Sequence, residues 1–287
     1  MTNPAATPVP TSTVSASTTS RPTQHLWLLV RNLPDTQNVE VTEVIAQNGA
    51  GRSFQYEVAA QADRQALLGS VLLQAVKRCT NNGVIALHSP HTEYVRIADR
   101  QGKRPPELAG ALKRHNLTLT LARRTNGVGL FAEYAEALHE HRIPELPPMI
   151  DFQLYTGCIT DGQEAYVGAV LVGQGRLHTW RNTVKGPNLT LSELHAVRWA
   201  FSTMPSGSTV EIHNQSRDAR RLWTEPEEVM GEHEADLRPY MLRLAQTISS
   251  RQIRFQPPQG TAHPGLFRQH TRLLAGTQFA DAARERP

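Results

Sequence analysis

The stretch that decides the fold runs from residue 152 to residue 172 and reads FQLYTGCITDGQEAYVGAVLV. Two apolar runs flank a turn at 161–162, which predicts two antiparallel strands joined by a short loop. Farther along, 190–194 (TLSEL) predicts the start of a helix, 210–213 a short strand and 263–267 (HPGLF) the entrance to a last helix. The second half therefore predicts three strands, a helix, a strand, helices, a strand and a helix.

Length and composition indicate an ordinary globular protein. The 287 residues suffice for two domains, and no run approaches the roughly 18 apolar residues of a membrane span. The N-terminus lacks the pattern of a signal peptide, so we expect a soluble, cytoplasmic protein without a membrane partner. Two cysteines, Cys79 and Cys158, argue against a disulfide framework and a cysteine zinc site. The net charge of +4 is compatible with nucleic-acid binding without indicating it strongly.

Composition and pattern also predict the domain organisation. The N-terminal segment is rich in Thr, Ser, Pro and Ala and cannot bury enough apolar surface to order itself. Alternating apolar residues begin at Leu26, and a second series of strands begins at Phe152 after a proline-rich segment. The predicted units are a disordered tail (1–23), a first domain (24–142), a linker (143–150), a second domain (151–280) and a flexible C-terminus (281–287).

The two halves resemble each other in sequence. Residues 26–58 align with residues 152–184 without a gap at a shift of 126. The motif Gly-Leu-Phe at 129–131 recurs at 265–267, at a shift of 136. We assign the ten additional residues to the acidic segment Glu225–Glu234, which we expect to be a solvated loop. The repeat predicts a duplicated domain.

The second half resembles ribonuclease H domains over about 152–275. In that family the first strand ends in a Tyr-Thr-Asp-Gly type of motif, and the first helix starts with a Glu. The fourth strand ends in Asp followed by Ser, and a last Asp follows a His-Pro-Gly or similar turn. The resemblance implies four carboxylates that bind two Mg²⁺ ions for RNA hydrolysis. It also implies an α/β fold with two tandem domains, each a five-stranded mixed sheet (an antiparallel meander plus parallel strands) flanked by helices.

Most of the family's acids are missing. The second half has Gly157, Glu193, Gln215 and His270 at these positions; the first half, placed through the repeat, has Arg31, Leu67, Ser89 or Pro90, and Tyr134. One carboxylate cannot supply a two-metal site, since a hard divalent cation needs several oxygen ligands. We therefore expect a ribonuclease H-like fold without catalysis, metal or cofactor.

Several of these residues have alternative interpretations. Glu193 could form a capping box with Thr190, and Asp161 could serve the hairpin turn. In the alternative, Asp161, Glu193, His270 and Asp218 form a rearranged nuclease site that uses Mg²⁺ or Mn²⁺. His270 could instead hold a phosphate as an imidazolium.

Basic residues form clusters that predict contacts with phosphates, although a solvated face explains them equally well. Tryptophans are expected in the core, and only Trp223, beside Arg220, is a candidate for base stacking. The predicted nucleic-acid-binding residues are Arg217, Arg220, Arg221, Arg268, Arg272, Lys113, Arg114, Arg123 and Arg124.

The leading functional hypothesis is a catalytically inactive protein that binds an RNA–DNA hybrid, a duplex or structured RNA through backbone contacts. The first alternative is a metal-dependent ribonuclease H-type nuclease. The second is a protein-interaction scaffold that pairs with itself or with a partner.

Overall fold

The computed structural model describes residues 21–34, 36–99, 104–122, 129–258 and 265–285, with the side chains of 99, 232–234 and 285 excepted. Most of the predicted tail, Asp35, Arg123, Arg124 and the His-Pro turn at 263–264 therefore lie outside the described residues. The first half contains β1 (Thr23–Asn32), β2 (Asn38–Gln47), β3 (Ala50–Ala59), α1 (Arg64–Arg78), β4 (Gly83–His88), α2 (Glu93–Asp99), α3 (Pro106–Arg114), β5 (Leu117–Leu121) and α4 (Leu130–His139). The second half contains β6 (Phe152–Thr160), β7 (Glu164–Gly173), β8 (Arg176–Lys185), α5 (Leu189–Thr203), β9 (Thr209–His213), α6 (Arg217–Arg221), α7 (Pro226–Arg251), β10 (Arg254–Gln256) and α8 (Gly265–Glu285).

The ten strands form one mixed sheet in the order β10-β9-β6-β7-β8-β3-β2-β1-β4-β5. In each half the first three strands are antiparallel, and the first strand also pairs in parallel with the fourth. The fourth strand pairs in parallel with the fifth. The predicted mixed α/β fold is confirmed, but the structure has one sheet of ten strands where two sheets of five were predicted.

The halves meet where β3 pairs with β8. The pairing covers only three residues of each strand and is antiparallel, with Gly51 opposite Leu177 at its centre. On either side, Ser53 N donates to Gly175 O and Thr179 N donates to Gly49 O, both at 2.7 Å. Residues 49, 51 and 53 match 175, 177 and 179 at the shift of 126, so the contact has approximate two-fold symmetry, as between identical subunits.

Successive residues of the strands face opposite sides of the sheet and enter different cores. In β1, Leu26 and Leu28 join a core that also contains residues of α1, α2 and α3. The corresponding core of the second half contains residues of α5 and α7. Trp27 and Leu29 face the other side, where α4 and α8 cover a third core that both halves share. We call this third core the junction core.

The two halves correspond less simply than the ungapped repeat predicts. The loop between β1 and β2 is two residues longer than the loop between β6 and β7, because Asn32 pairs with Val39 while Thr160 pairs with Ala165. The first strands therefore correspond at a shift of 128 residues. The ungapped alignment was wrong in this strand, since a sequence comparison does not show where a hairpin loop absorbs an insertion.

Ring stacking supports this register. Trp27 lies beside His88 in the sheet and stacks on it, with ring centroids 4.6 Å apart. Tyr155 lies beside His213 and stacks on it at the same distance. Each pair also contacts an aromatic ring of the last helix in its own half, Phe131 at 6.1 Å from Trp27 and Phe267 at 5.2 Å from Tyr155. The halves thus share an aromatic triad that sequence identity does not reveal.

The first helices correspond at a shift of 125. Both α1 and α5 have 15 residues, and the side chains of Asp63 and Asn188 accept hydrogen bonds from their first turns. The positions of the first half that correspond to Gly157, Glu193, Gln215 and His270 are therefore Leu29, Leu68, Pro90 and Tyr134. Leu29 and Leu68 replace the predicted Arg31 and Leu67. Pro90 was one of the two predicted residues, with Ser89, and Tyr134 is unchanged.

Two further differences concern helices. One short helix of seven residues, α2, was not predicted from the sequence. The acidic segment predicted as a solvated loop is instead the start of α7, a helix of 26 residues. Pro226 at its first position and Glu227 and Glu228 in its first turn suit a helix N-terminus, because proline fixes φ and the acids offset the helix dipole. Among the described residues, no helix is long and apolar enough to cross a membrane.

Candidate functional site

Glu193, the retained carboxylate, is buried between α5 and the ends of two strands. Its side chain is 0% exposed, and Oε1 accepts hydrogen bonds from Thr156 Oγ1 (2.7 Å) and the backbone N of Gln215 (2.7 Å). The other oxygen, Oε2, accepts from the backbone N of Ser216 (3.0 Å). Burial raises the pKa of Glu193, while the hydrogen bonds act in the opposite direction. Both oxygens are thus occupied by the protein itself.

The predicted capping box is wrong. Asn188, two residues before Thr190, is the N-cap of α5, and its side chain accepts from the backbone N of Leu191 at 2.9 Å. Glu193 therefore lies beyond the first turn and faces the sheet. Asn and Thr are both good caps, and the sequence did not show which of them begins the helix.

Further polar side chains extend this network. Asn214 Nδ2 donates to Thr156 Oγ1 (2.9 Å), and Trp223 Nε1 donates to Asn214 Oδ1 (2.6 Å). Gln215 Oε1 accepts from the backbone N of Cys158 (3.2 Å). The network ties the segment after β9 to the end of β6, and burial also raises the pKa of the Cys158 thiol. We call Thr156, Glu193, Asn214, Gln215 and Trp223 the carboxylate network.

The position of the family's first acid has no space for a carboxylate. A β-carbon on Gly157 would lie 2.7 Å from Thr271 Oγ1 and 3.1 Å from Gln215 Oε1. Thr271 rather than His270 faces this point. His270 is 6% exposed and turns toward the first half, where its Nε2 lies 3.1 Å from Glu133 Oε2 in α4. The predicted phosphate-binding role of His270 at this centre is therefore wrong.

Other residues of the predicted nuclease site have structural roles. Asp161 Oδ1 accepts from the backbone N of Gln163 and of Glu164, and Oδ2 accepts from the Tyr166 hydroxyl. The turn role predicted for Asp161 is confirmed. Asp218 pairs with Arg221 at 3.6 Å. In the described part of the chain, no group of three or more His, Cys, Asp or Glu side chains could hold a metal ion.

The corresponding positions in the first half hold no acid. Leu68 is fully buried in an apolar core, and Leu29 packs against the junction core. The Tyr134 hydroxyl lies 3.2 Å from Ser53 Oγ. Of the residues that the ungapped repeat named instead, Arg31 pairs with Glu40 at 2.5 Å and Ser89 Oγ donates to Leu28 O.

The arginines of α6 differ in their partners. Arg221 forms ion pairs with Asp218, Glu225 (2.9 Å) and Glu228 (2.8 Å), so its charge is largely neutralised. Arg217 and Arg220 are exposed, and neither has an ion-pair partner among the described residues. The sequence did not distinguish the three arginines, because two of the acids that pair with Arg221, Glu225 and Glu228, lie in the segment predicted as a loop.

An open cavity of about 430 Å³ lies beside α6. Trp223, half-buried at its wall, contacts Phe255 of β10 edge-on at 5.1 Å. The opposite wall of the cavity is formed by Pro257 and Pro258, which follow β10. This segment reaches the cavity because α7 returns the chain to the sheet at β10. The residues that line the cavity are Ile212, Arg217, Arg220, Arg221, Trp223, Thr224, Pro257 and Pro258.

The other predicted basic residues lie elsewhere. Arg268 and Arg272 are exposed one turn apart on α8, which packs on β6 and β7. Lys113 and Arg114 are exposed at the end of α3, near the opposite edge strand β5. Ten strands span roughly 43 Å, so Lys113 and Arg114 cannot share a pocket with α6.

No protein-family model matches the chain, and no curated protein matches it. Among solved structures, ribonuclease H1 from the halophilic archaeon Halobacterium salinarum NRC-1 is similar at 17% identity and a TM-score of 0.36, over 45% of this chain and 98% of that one. LC11-RNase H1 in complex with an RNA/DNA hybrid is similar at 17% identity and a TM-score of 0.36, over 46% of this chain and 99% of that one. At this identity and TM-score, neither likeness assigns an activity or a ligand to the chain.

Proposed function

We propose that the protein binds nucleic acid without cleaving it, through two ribonuclease H-like halves that arose by duplication. The observation that carries the proposal is a contrast within the second half. Glu193, the retained acid, has both oxygens occupied by protein donors, whereas Arg217 and Arg220 are exposed beside Trp223.

The chemistry of this surface suits a nucleic-acid backbone. Arginine has a planar fork of donors that binds phosphate oxygens, and an exposed indole face stacks on bases of any sequence. Arg221 pairs with Asp218 in its own helix and with Glu225 and Glu228 at the start of α7, and it leaves the phosphate contacts to Arg217 and Arg220. We therefore infer binding through the backbone, with an RNA–DNA hybrid, a duplex or structured RNA as the ligand class.

Two observations support a duplication. The aromatic triads occupy corresponding positions, and the β3–β8 contact is symmetric about Gly51 and Leu177. A contact of this kind is what two copies of one domain would form as a dimer before fusion. The domains 24–142 and 151–280, joined by the linker 143–150, are part of this proposal.

Binding of a labelled RNA–DNA hybrid, with duplex DNA and single strands as competitors, tests the proposal. We expect binding that weakens with salt, needs no Mg²⁺ and leaves the strands intact on a denaturing gel. The double variant Arg217→Gln/Arg220→Gln should weaken binding by about tenfold or more.

A matched control is Arg96→Gln, which removes an exposed arginine of α2 and should leave affinity nearly unchanged. Absence of binding at low salt, or equal binding by the double variant, would contradict the proposal. Mg²⁺-dependent cleavage that is lost in Glu193→Gln would instead favour the nuclease alternative.

A further inference from the structure

A second cleft, of about 410 Å³, lies at the junction of the two halves. It lies beside the paired residues of β3 and β8, on the face of the sheet that α1 covers. Arg176 lies at the amino end of β8, whereas Ile212 of the cavity at α6 lies at the carboxyl end of β9, which runs parallel to β8, so the two sites are at opposite ends of these strands. The residues that line it are Gln24, Ile45, Gln47, Ala50, Gly51, Arg52, Thr80, Arg176 and His178.

Two arginines, one from each half, lie side by side in this cleft. Arg52 and Arg176 are direct cross-strand partners in the β3–β8 pair. Like charges in this arrangement repel each other and destabilise the sheet. Neither arginine has an ion-pair partner among the described residues, and no Asp or Glu lies among those that line the cleft. The stability of the fold therefore does not explain this pair.

One nearby acid, Glu43, attracts Arg52 but does not form an ion pair with it. Glu43 is 0% exposed, and its carboxylate pairs with Arg78 at 2.5 Å. Arg52 Nη2 donates to the backbone O of Arg78 at 3.1 Å, which orients the guanidinium and leaves its other donors free to bind. Both guanidinium groups are exposed in the cleft, and that of Arg52 is held in place by this hydrogen bond.

Neutral polar groups complete the wall. His178 is half-buried, and burial and the charge of Arg176 lower the pKa of its imidazole. A neutral imidazole offers one donor and one acceptor, and Gln47 adds an amide. These groups suit the ester and hydroxyl oxygens that flank a phosphate.

We propose that this cleft binds a phosphorylated small molecule, with its phosphates between Arg52 and Arg176. Guanidinium groups form strong, charge-assisted and frequently bidentate hydrogen bonds with phosphate oxygens. The volume of the cleft lies within the range of small-molecule pockets. The bound anion would also remove the cross-strand repulsion. The site exists only in the fused sheet, because each half contributes one arginine.

Calorimetric titration of the full chain with inorganic pyrophosphate tests the site. We expect saturable binding with one equivalent, weakened about tenfold or more in Arg52→Gln and in Arg176→Gln. Arg96→Gln and the double variant Arg217→Gln/Arg220→Gln should bind pyrophosphate as the wild type does. The two cleft variants should in turn bind the RNA–DNA hybrid normally, so this proposal and the proposed function can fail separately.

Thermal unfolding distinguishes a ligand site from a structural one. Without pyrophosphate, Arg52→Gln and Arg176→Gln should have a Tm equal to or above that of the wild type, because the repulsion is gone. At the same pyrophosphate concentration, the rise in Tm should be smaller in the two cleft variants than in proteins that retain both arginines. No binding at millimolar pyrophosphate in low salt, or binding that both variants retain, would overturn the proposal.

Discussion

The two halves of the chain share their order of elements but bury their acids in different places. The second half buries Glu193 in α5, where the first half has Leu68. The first half buries Glu43 in β2 against Arg78, where the second half has Ala169 and Thr203. One fold thus tolerates a carboxylate or an apolar side chain at either position.

The comparison also shows that the acid and its donors change together. Glu193 accepts from Thr156 Oγ1 and from the backbone N of Gln215. The corresponding residues of the first half are Leu28, which has no hydroxyl, and Pro90, which has no N–H. A buried carboxylate is stable only with its donors, and donors without their acceptor also cost free energy. Two of the three donors are therefore missing where the acid is missing, while His91, at the position of Ser216, keeps its N–H and donates to Ser89 Oγ.

The largest expected effect is from Leu68→Glu, which copies the acid of the second half without its donors. Burying an unpaired carboxylate among apolar side chains should lower the free energy of unfolding by more than about 4 kcal/mol. Urea denaturation measures the change, and Leu68→Met, expected to cost less than about 1.5 kcal/mol, is the control. Similar stability of the two variants would mean that α1 has donors available at this point.

A somewhat smaller effect is expected from Arg78→Met, which leaves Glu43 buried without its partner. We expect a loss of about 3–4 kcal/mol, since breaking a buried pair leaves an uncompensated charge. The double variant Glu43→Ala/Arg78→Thr, which copies the second half, should be more stable than Arg78→Met alone. A double variant that is less stable would show that the pair itself, rather than its charge balance, stabilises β2.

Glu193→Leu, the reverse exchange, should cost about 3 kcal/mol because three donors lose their acceptor. Glu193→Gln keeps the shape and one acceptor oxygen, and should cost about 1–2 kcal/mol. Denaturant unfolding of both variants, beside hybrid binding, separates a structural role from a functional one. Normal hybrid affinity in the folded Glu193→Gln protein is the expected result, and its loss would mean that the carboxylate network contacts the ligand.

The smallest effect concerns pH and His88, the histidine that stacks on Trp27 in the first half. Burial and the neighbouring His25 lower the pKa of His88 to about 4, below the value of 6.5 for a free imidazole. Because the folded pKa is the lower one, the unfolded state binds a proton first as the pH falls. Stability is therefore lost from about pH 6.5 down to pH 4.

His88→Gln should remove about 1 kcal/mol of this loss between pH 7 and pH 5, after allowance for solvent screening. Thermal unfolding of both proteins at these two pH values measures the difference, and His115→Gln at the end of α3 serves as a control. An equal loss in the wild type and His88→Gln would contradict the assignment.

Local elements were predicted well because their causes are local. Alternating apolar residues in β1 and β2, the cap at Asp63 and the Asp161 turn depend on neighbours within a few residues. The capping box at Glu193 failed because Asn188, two residues earlier and the better N-cap of the two, begins α5 in place of Thr190. Likewise, Arg221 differs from Arg217 and Arg220 in its ion pairs because the start of α7 brings Glu225 and Glu228 to it.

The sequence by itself determined the mixed α/β elements of each half and placed Gly157, Gln215 and His270 where the resemblance to ribonuclease H expects acids, since both follow from residue types and their spacing. Only the tertiary structure decided that the halves share one sheet, that Glu193 is sealed by backbone donors, and that Arg52 lies opposite Arg176. These contacts join residues more than 20 positions apart in the chain, and their free energy depends on burial and geometry, which arise only when the elements pack.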